Sequence, residues 1–331
     1  MKTLSLVSAL LFSALTSWAA DGVKLTDADG RVRVEIGGKL FTEYHYRDTP
    51  RPVLYPVIGA TGAGMTRNYP MKEVEGETKD HPHHRGIQWS HTRINEVTTW
   101  GESKARDGTP PGRTVHQKFL ELSSGPKLGV IRSENQIVAG DGKPVCAELL
   151  TIRFHSRGPV RVMDYDVELR ATHGDVVLGD QKDGGMAIRV AESMRVDKPL
   201  AKGEKKPAVG DGHIVLSSGA RDGEAWGKRA AWCDYYGPVE GKIAGVAIFD
   251  HPSNPRHPTW WHARTYGLCS ANPFGIASFE KNPDKNFGNM TVPAGKSVTF
   301  RYRFYFHAGD EKQGKVEQEY AAYVKETGGA K

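Results

Sequence analysis

Four of the chain's thirteen histidines fall within eleven positions, in the run Asp80-His81-Pro82-His83-His84-Arg85-Gly86-Ile87-Gln88-Trp89-Ser90-His91. An imidazole that titrates near neutrality serves as a general acid or base, and a guanidinium beside it stabilises an anionic oxygen. His81, His83 and His84 are therefore acid/base candidates, with Arg85 as the anion stabiliser and His91 as a substrate contact. The same residues admit metal chemistry. On an extended backbone, which Pro82 favours at His81, His81 and His83 share a face and His84 turns away. With a carboxylate from Asp80 or Glu43 they could hold zinc or another divalent ion. Structural hydrogen bonding is the third reading of this run.

Three further stretches concentrate polar chemistry. Gly179-Asp180-Gln181-Lys182-Asp183-Gly184-Gly185 offers Asp180 and Asp183 as partner carboxylates and Lys182 as a ligand contact; a solvated turn is the alternative. Asp250 to Arg264 gathers His251, His257, His262, two arginines and the adjacent Trp260 and Trp261. Aromatic faces stack on the C–H faces of sugar rings, and Asn, Arg and His bond to hydroxyls. Asn254, His257, Trp261 and His262 are thus expected to line a sugar site, joined by Glu43 and by Asn272, although Asn272-Pro273 also reads as a plain turn. On an extended backbone the two tryptophans point to opposite sides, one to the core and one outward. No serine elbow, phosphate loop or dinucleotide fingerprint is present.

The elements that must position these groups are strands. Arg31 to Ile36, Leu40 to Tyr46, His116 to Leu122, Leu128 to Gln136, Val145 to Phe154, Arg161 to Arg170, Lys242 to Asp250 and Ser297 to His307 alternate apolar and polar residues at period two. Arg51 to Val57 carries two prolines and is expected at a sheet edge or a strand entry. Gly59 to Lys79 is a long Gly- and Thr-rich loop, of the kind that is usually functional or mobile. Only Lys315 to Glu326 reads as a helix. Roughly sixteen to twenty strands without a repeat period predict an all-β fold, a large two-sheet β-sandwich with a C-terminal helix, and two tandem β domains are the alternative.

Composition narrows the setting. Met1 to Ala19 has a short positive start, an apolar run too short to span a bilayer, and small residues before Ala20, so residues 1–19 read as a signal peptide and 20–331 as one β-sandwich domain. A secreted or periplasmic location without a membrane span follows as an expectation. The net charge of +6 and pI near 9.0 come from dispersed lysines and arginines, with no basic-aromatic pattern pointing to nucleic acid. Cys146, Cys233 and Cys269 lack metal-site spacing; one disulfide with a thiol left over, or three buried thiols, are the options.

Asp80 to His91, Asp180 to Gly185, Gly241 to Pro258 and Trp261 to Gly275, with the HPHHRG core and the NPRHP and SANPFG runs, resemble the exported bacterial proteins labelled "PmoA family" or "methane oxygenase PmoA", also called the DUF6807 family. The similarity runs from about Val32 to His307. A methane monooxygenase subunit of that name is an integral membrane protein, so methane oxidation is not carried over to a chain without a spanning segment. The run Arg51 to Pro56, a Gly-rich loop, and a His/Arg-Gly motif before Trp89 also resemble the layout of galactose-mutarotase-like supersandwich proteins. That resemblance implies a sugar groove across one sheet, worked by histidines and carboxylates. The expectation is an exported carbohydrate-active enzyme doing acid/base chemistry of an epimerase or lyase kind on a carbohydrate or small-molecule substrate. The alternatives are a non-catalytic glycan-binding protein and a metal-dependent hydrolase or lyase.

Overall fold

The computed structural model describes residues 22–201 and 203–328; the signal-peptide reading falls outside them. Two eight-stranded antiparallel sheets face each other. The first runs, in spatial order, β1 (Val23–Asp27), β2 (Arg31–Ile36), β3 (Lys39–His45), β4 (Val53–Val57), β5 (Ile87–His91), β11 (Gly184–Arg189), β16 (Leu268–Asn272) and β15 (Trp260–Trp261). The second runs β12 (His213–Leu216), β13 (Trp232–Val239), β14 (Lys242–Asp250), β18 (Ser297–Ala308), β9 (Arg161–Arg170), β8 (Pro144–His155), β7 (Leu128–Val138) and β6 (Arg113–Ser123). A small ribbon pairs β10 (Val176–Leu178) with β17 (Met290–Val292). Besides one helical turn, α1 (Ile276–Phe279), the remaining α-helix among the described residues is α2 (Val316–Glu326) at the C-terminal end. This is the all-β sandwich with a C-terminal helix that the alternation predicts. No helix among the described residues is long and apolar enough to cross a membrane.

Alternation decides which side chains go between the sheets. On β9, Met163, Tyr165, Val167 and Leu169 are buried in the shared core, while Asp164, Asp166 and Glu168 face outward. Phe41 of β3 meets Phe154 of β8 and Phe306 of β18 edge-on, at 5.9 and 5.8 Å between centroids, knitting one sheet to the other. The outer face of the second sheet is covered in part by α2, whose Val316 and Tyr323 pack on Phe249 and Tyr305.

Two expectations need correction. Of the two readings of these prolines, strand entry holds for Pro52, just before β4, and the sheet edge does not, since β4 lies between β3 and β5. It tolerates Pro56 because its pairing with β5 is a single position, Leu54 with Ile87, so few ladder bonds are demanded of it. Arg229 to Asp234 also reads as a strand in the sequence, but β13 begins at Trp232, since Lys228 and Ala230 bond the backbone of Trp261 and Thr259 instead.

Candidate active site

The middle of the first sheet presents a low, polar floor. Trp89, Met186 and Ala271 are cross-strand partners on the core side, so their neighbours Gln88, Ala187 and Ser270 line up on the outer side. Small residues there leave a depression. Trp100 packs on Ala187 and Leu268, with Tyr266 against them, and forms one wall. The result is a groove of about 520 Å³ lined by His81, His83, His84, Lys182, Asp183 and His262 together with Trp100, Arg264 and Tyr266. A larger hollow, about 840 Å³, lies beside α2 on the second sheet. Its charged groups already answer one another: Arg153 pairs with Asp166, and His251 bonds to Ser253 and Thr327.

The histidine run is not a strand. His81 has φ of 43°, and the His84 amide donates to the His81 carbonyl at 3.0 Å, so residues 81–84 form a turn. That overturns the expectation that His84 points away. The three rings converge instead: His81 stacks on His84 at 4.8 Å, and His83 meets His84 edge-on at 4.5 Å. His81 also stacks on Tyr266 at 5.0 Å. Its Nδ1 lies 3.0 Å from Asp80 Oδ2. His81 and His83 are 5.7 Å apart, and among the described residues no group of three or more His, Cys, Asp or Glu is arranged to hold a metal ion.

A scaffold of buried arginines holds this turn. Arg51 donates from Nη1 to the His83 carbonyl, from Nε to Thr99 O at 2.7 Å and from Nη2 to Trp100 O at 2.8 Å, tying the histidine turn to the opposite wall. Gln88 bonds the same His83 carbonyl at 2.9 Å and accepts from Arg51. Arg67 and Arg189, both buried, share Asp80, and that carboxyl is held far below the usual carboxylate range by His81 and the two guanidiniums, against its partial desolvation. Arg85 makes a two-point ion pair with Glu102 beside the groove rather than lining it.

The facing wall is the turn before β11. Asn272 donates to the carbonyls of Gln181 and Lys182 at 3.0 and 2.8 Å, and Thr92 bonds the Asp183 carbonyl. These bonds aim Asp183 into the groove, where Oδ1 lies 3.8 Å from His262 Nε2 and both oxygens accept from Lys182. Gly185 closes the turn at φ 89°, and a Cβ there would sit 2.0 Å from Ala271 O.

Burial governs the charge state of the imidazoles. Desolvation lowers His83 to about 4, with His81 and Arg51 adding repulsion. His84 is lowered well below the ordinary value by burial and then by His83 and Arg189, and His262 is lowered to about 3 by burial. At neutral pH these rings are unprotonated. His262 Nδ1 is buried without a hydrogen-bond partner.

The structure therefore brings His81, His83, His84, Lys182, Asp183 and His262 to one groove and puts the other predicted residues elsewhere. Asp180 is buried, capping the amides of Ala277 and Gly288. His91 faces Phe274 and bonds Gly179 O at 2.8 Å. Trp261, the tryptophan expected at a sugar, is fully buried in the core, with its Nε1 on Ala230 O. Asn254 and His257 both bond Asp250 and lock the loop after β14. Asn272 acts through backbone carbonyls, and Glu43 pairs with Arg31 and Arg33 on an outlying part of the sheet. Sequence reasoning missed Arg51, Arg67, Gln88, Trp100, Arg189, Arg264 and Tyr266. Arg189 had a readable signal: a charge inside the apolar run Met186-Ala187-Ile188-Arg189-Val190 demands a buried partner.

Among solved structures the chain is similar to a polysaccharide lyase, at 11% identity over 88% of this chain and 33% of that one, with a TM-score of 0.33. It is similar to a 4-alpha-glucanotransferase from Thermococcus litoralis at 12% identity, 86% and 37% coverage and a TM-score of 0.25. A galactose mutarotase related enzyme from Lactobacillus acidophilus follows at 10% identity, 86% and 97% coverage and a TM-score of 0.28. The chain spans about a third of the length of the first two. At these scores none of them bears on the groove or its chemistry. No curated protein matches the sequence. The family described as a family of unknown function, DUF6807, matches residues 31–321, from β2 into α2 and through every loop that builds the groove; the chain belongs to that family.

Proposed function

We propose that the chain is a carbohydrate-active enzyme that moves protons on a sugar held in this groove, of the epimerase or lyase kind. The observation that carries the reading is the set of unprotonated imidazoles, His83, His84 and His262, gathered with one partly exposed carboxylate, Asp183, around an open polar groove. His83, the least enclosed of the three, is the base. Asp183, next to His262, is the partner carboxylate, and the Lys182 ammonium bonded to it holds the proton that is returned on the other side. Trp100 supplies an aromatic wall, and Lys182, Thr92 and Thr98 supply hydrogen bonds for hydroxyls. The volume lies within the ~300–1,000 Å³ common for small-molecule sites. Facing carboxylates of the glycosidase type are missing from the lining, which favours proton transfer over direct glycoside hydrolysis. The work is done outside the cytoplasm if Met1 to Ala19 is removed as a signal.

Proton movement is read directly by incubating the protein with a sugar panel in D2O and following loss of carbon-bound protons by NMR. The expected result is exchange at one sugar carbon, reduced about 10²–10⁴-fold in His83→Ala. Saturable binding without exchange would instead make this a glycan-binding protein.

A further inference from the structure

We infer that the ligand of this groove is a sugar acid whose carboxylate lies against Arg264, an inference that rests on the groove being a sugar site.

The first ground is the state of Arg264. It lines the groove, half-buried, with its guanidinium over the Tyr266 ring at 5.3 Å. Among the described residues it makes no ion pair and no side-chain hydrogen bond, so its fork of donors faces the groove unused. Every other cation near the site has a carboxylate: Lys182 has Asp183, Arg85 and Arg51 have Glu102, Arg67 and Arg189 have Asp80, and Arg195 has Glu192.

The second ground is the balance of those pairs. Two guanidiniums share Asp80, and two share Glu102. Each network carries one cation more than its carboxylates, and Arg264 adds a third. Arg51, Arg67 and Arg189 are shut away from water, so their excess charge is weakly screened. Glu77, on the same loop as Asp80, is directed to the amides of Asn68 and Tyr69. His83, His84 and His262 add no charge while unprotonated. A groove built this way attracts an anion, and a guanidinium fork matches a carboxylate in two-point geometry.

The third ground is chemical. An imidazole cannot take a proton from an ordinary sugar carbon, but the carbon next to a carboxylate is acidified once a cation neutralises that carboxylate. With the acid group on Arg264, the C–H bond beside it breaks, its proton passes to His83, and the electron pair moves into the carboxylate. Return of a proton to the opposite face from the Lys182 ammonium paired with Asp183, with His83 then passing its proton to solvent, gives the epimer. Departure of the neighbouring C–O substituent with its electron pair, taking the proton now held by His83, gives the unsaturated sugar and an alcohol. Neither course needs an oxidant or reductant. A bound carboxylate would also raise the proton affinity of His83, bringing the base toward working pH.

The test uses the full-length mature protein and three sets of probes: glucuronate, galacturonate and mannuronate oligosaccharides, their methyl esters, and the corresponding neutral oligosaccharides. Binding is followed by calorimetry and carbon-bound proton exchange by NMR in D2O. The expected result is binding of at least one uronate set, weakened tenfold or more by methyl esterification and, independently, by Arg264→Gln. The ester arm stands even if the variant unfolds. Equal binding of acid and ester, no binding of any uronate, or full retention by a folded Arg264→Gln protein overturns the inference. Uronate binding through Arg264 without proton exchange upholds it while refuting the acid/base reading. Exchange on neutral sugars, indifferent to Arg264, does the reverse.

Discussion

A buried histidine ties stability to pH, and His91 shows it most plainly. Burial lowers it to about 4, although the Gly179 carbonyl favours its proton. Below pH 6.5 the unfolded chain takes up a proton that the folded chain refuses, so stability present above that value is lost as pH falls toward 4. A shift of this size corresponds to about 3 kcal/mol for one fully enclosed ring. Glu148 works in the opposite direction, since burial pushes it up to about 7 and its contribution is lost as pH rises. The clean measurement is therefore a difference. His91→Gln keeps a donor for Gly179 O, and the unfolding free energy of the wild type relative to this variant should fall by roughly that amount between pH 6.5 and 4. A pH-independent difference would show that His91 is protonated in the fold. At this scale the sequence was legible in kind more than in place. The histidine clustering marked the segment that the fold brings to the groove, but nothing in residue type separates His83, which lines the groove, from His91, which faces Phe274.

Strands and loops divided differently in their legibility. Alternation marked nearly every long strand, because a residue with one neighbour inside and one outside must alternate. The loops obey no such period. His81 to His84 took extended geometry in prospect because Pro82 restricts the residue before it, and the structure answers with a left-handed His81 and a turn. What fixes that turn comes largely from elsewhere in the chain: Arg51 and Arg67, from two other segments, bond its carbonyls, joined by Gln88 of the strand that follows. Its landing point on the sheet is Gly86, at φ 52°, where a Cβ would lie 2.1 Å from Leu54 O. Gly86→Ala should therefore cost roughly 2–4 kcal/mol, seen as a lowered urea midpoint, because it joins backbone strain to a clash with backbone. Retention of wild-type stability would mean that the turn can lift off β4 freely.

The whole molecule is one core between two sheets, and its thiols report on that core. Cys233 of the second sheet and Cys269 of the first have their sulfurs 3.4 Å apart, and all three cysteines are free and buried. Burial raises Cys146 to about 12 and Cys233 well above the usual thiol value. A thiol reagent should leave the native reduced protein almost untouched, then modify all three sulfurs at one rate, that of global unfolding. Reaction of one thiol in the native state would reveal a local opening between the sheets.

The order of strands in the first sheet has a consequence in time. Its centre is laid down in three separate passes of the chain, at Ile87–His91, Gly184–Arg189 and Leu268–Asn272. No portion of the chain ending before the third pass can contain the groove, because Arg264 and Tyr266, and Asn272 that fixes the Asp183 turn, arrive with it. Pairings so distant along the chain close slowly. The first sheet thus stays incomplete, its middle open, until most of the polypeptide is present, and the groove can form only after that.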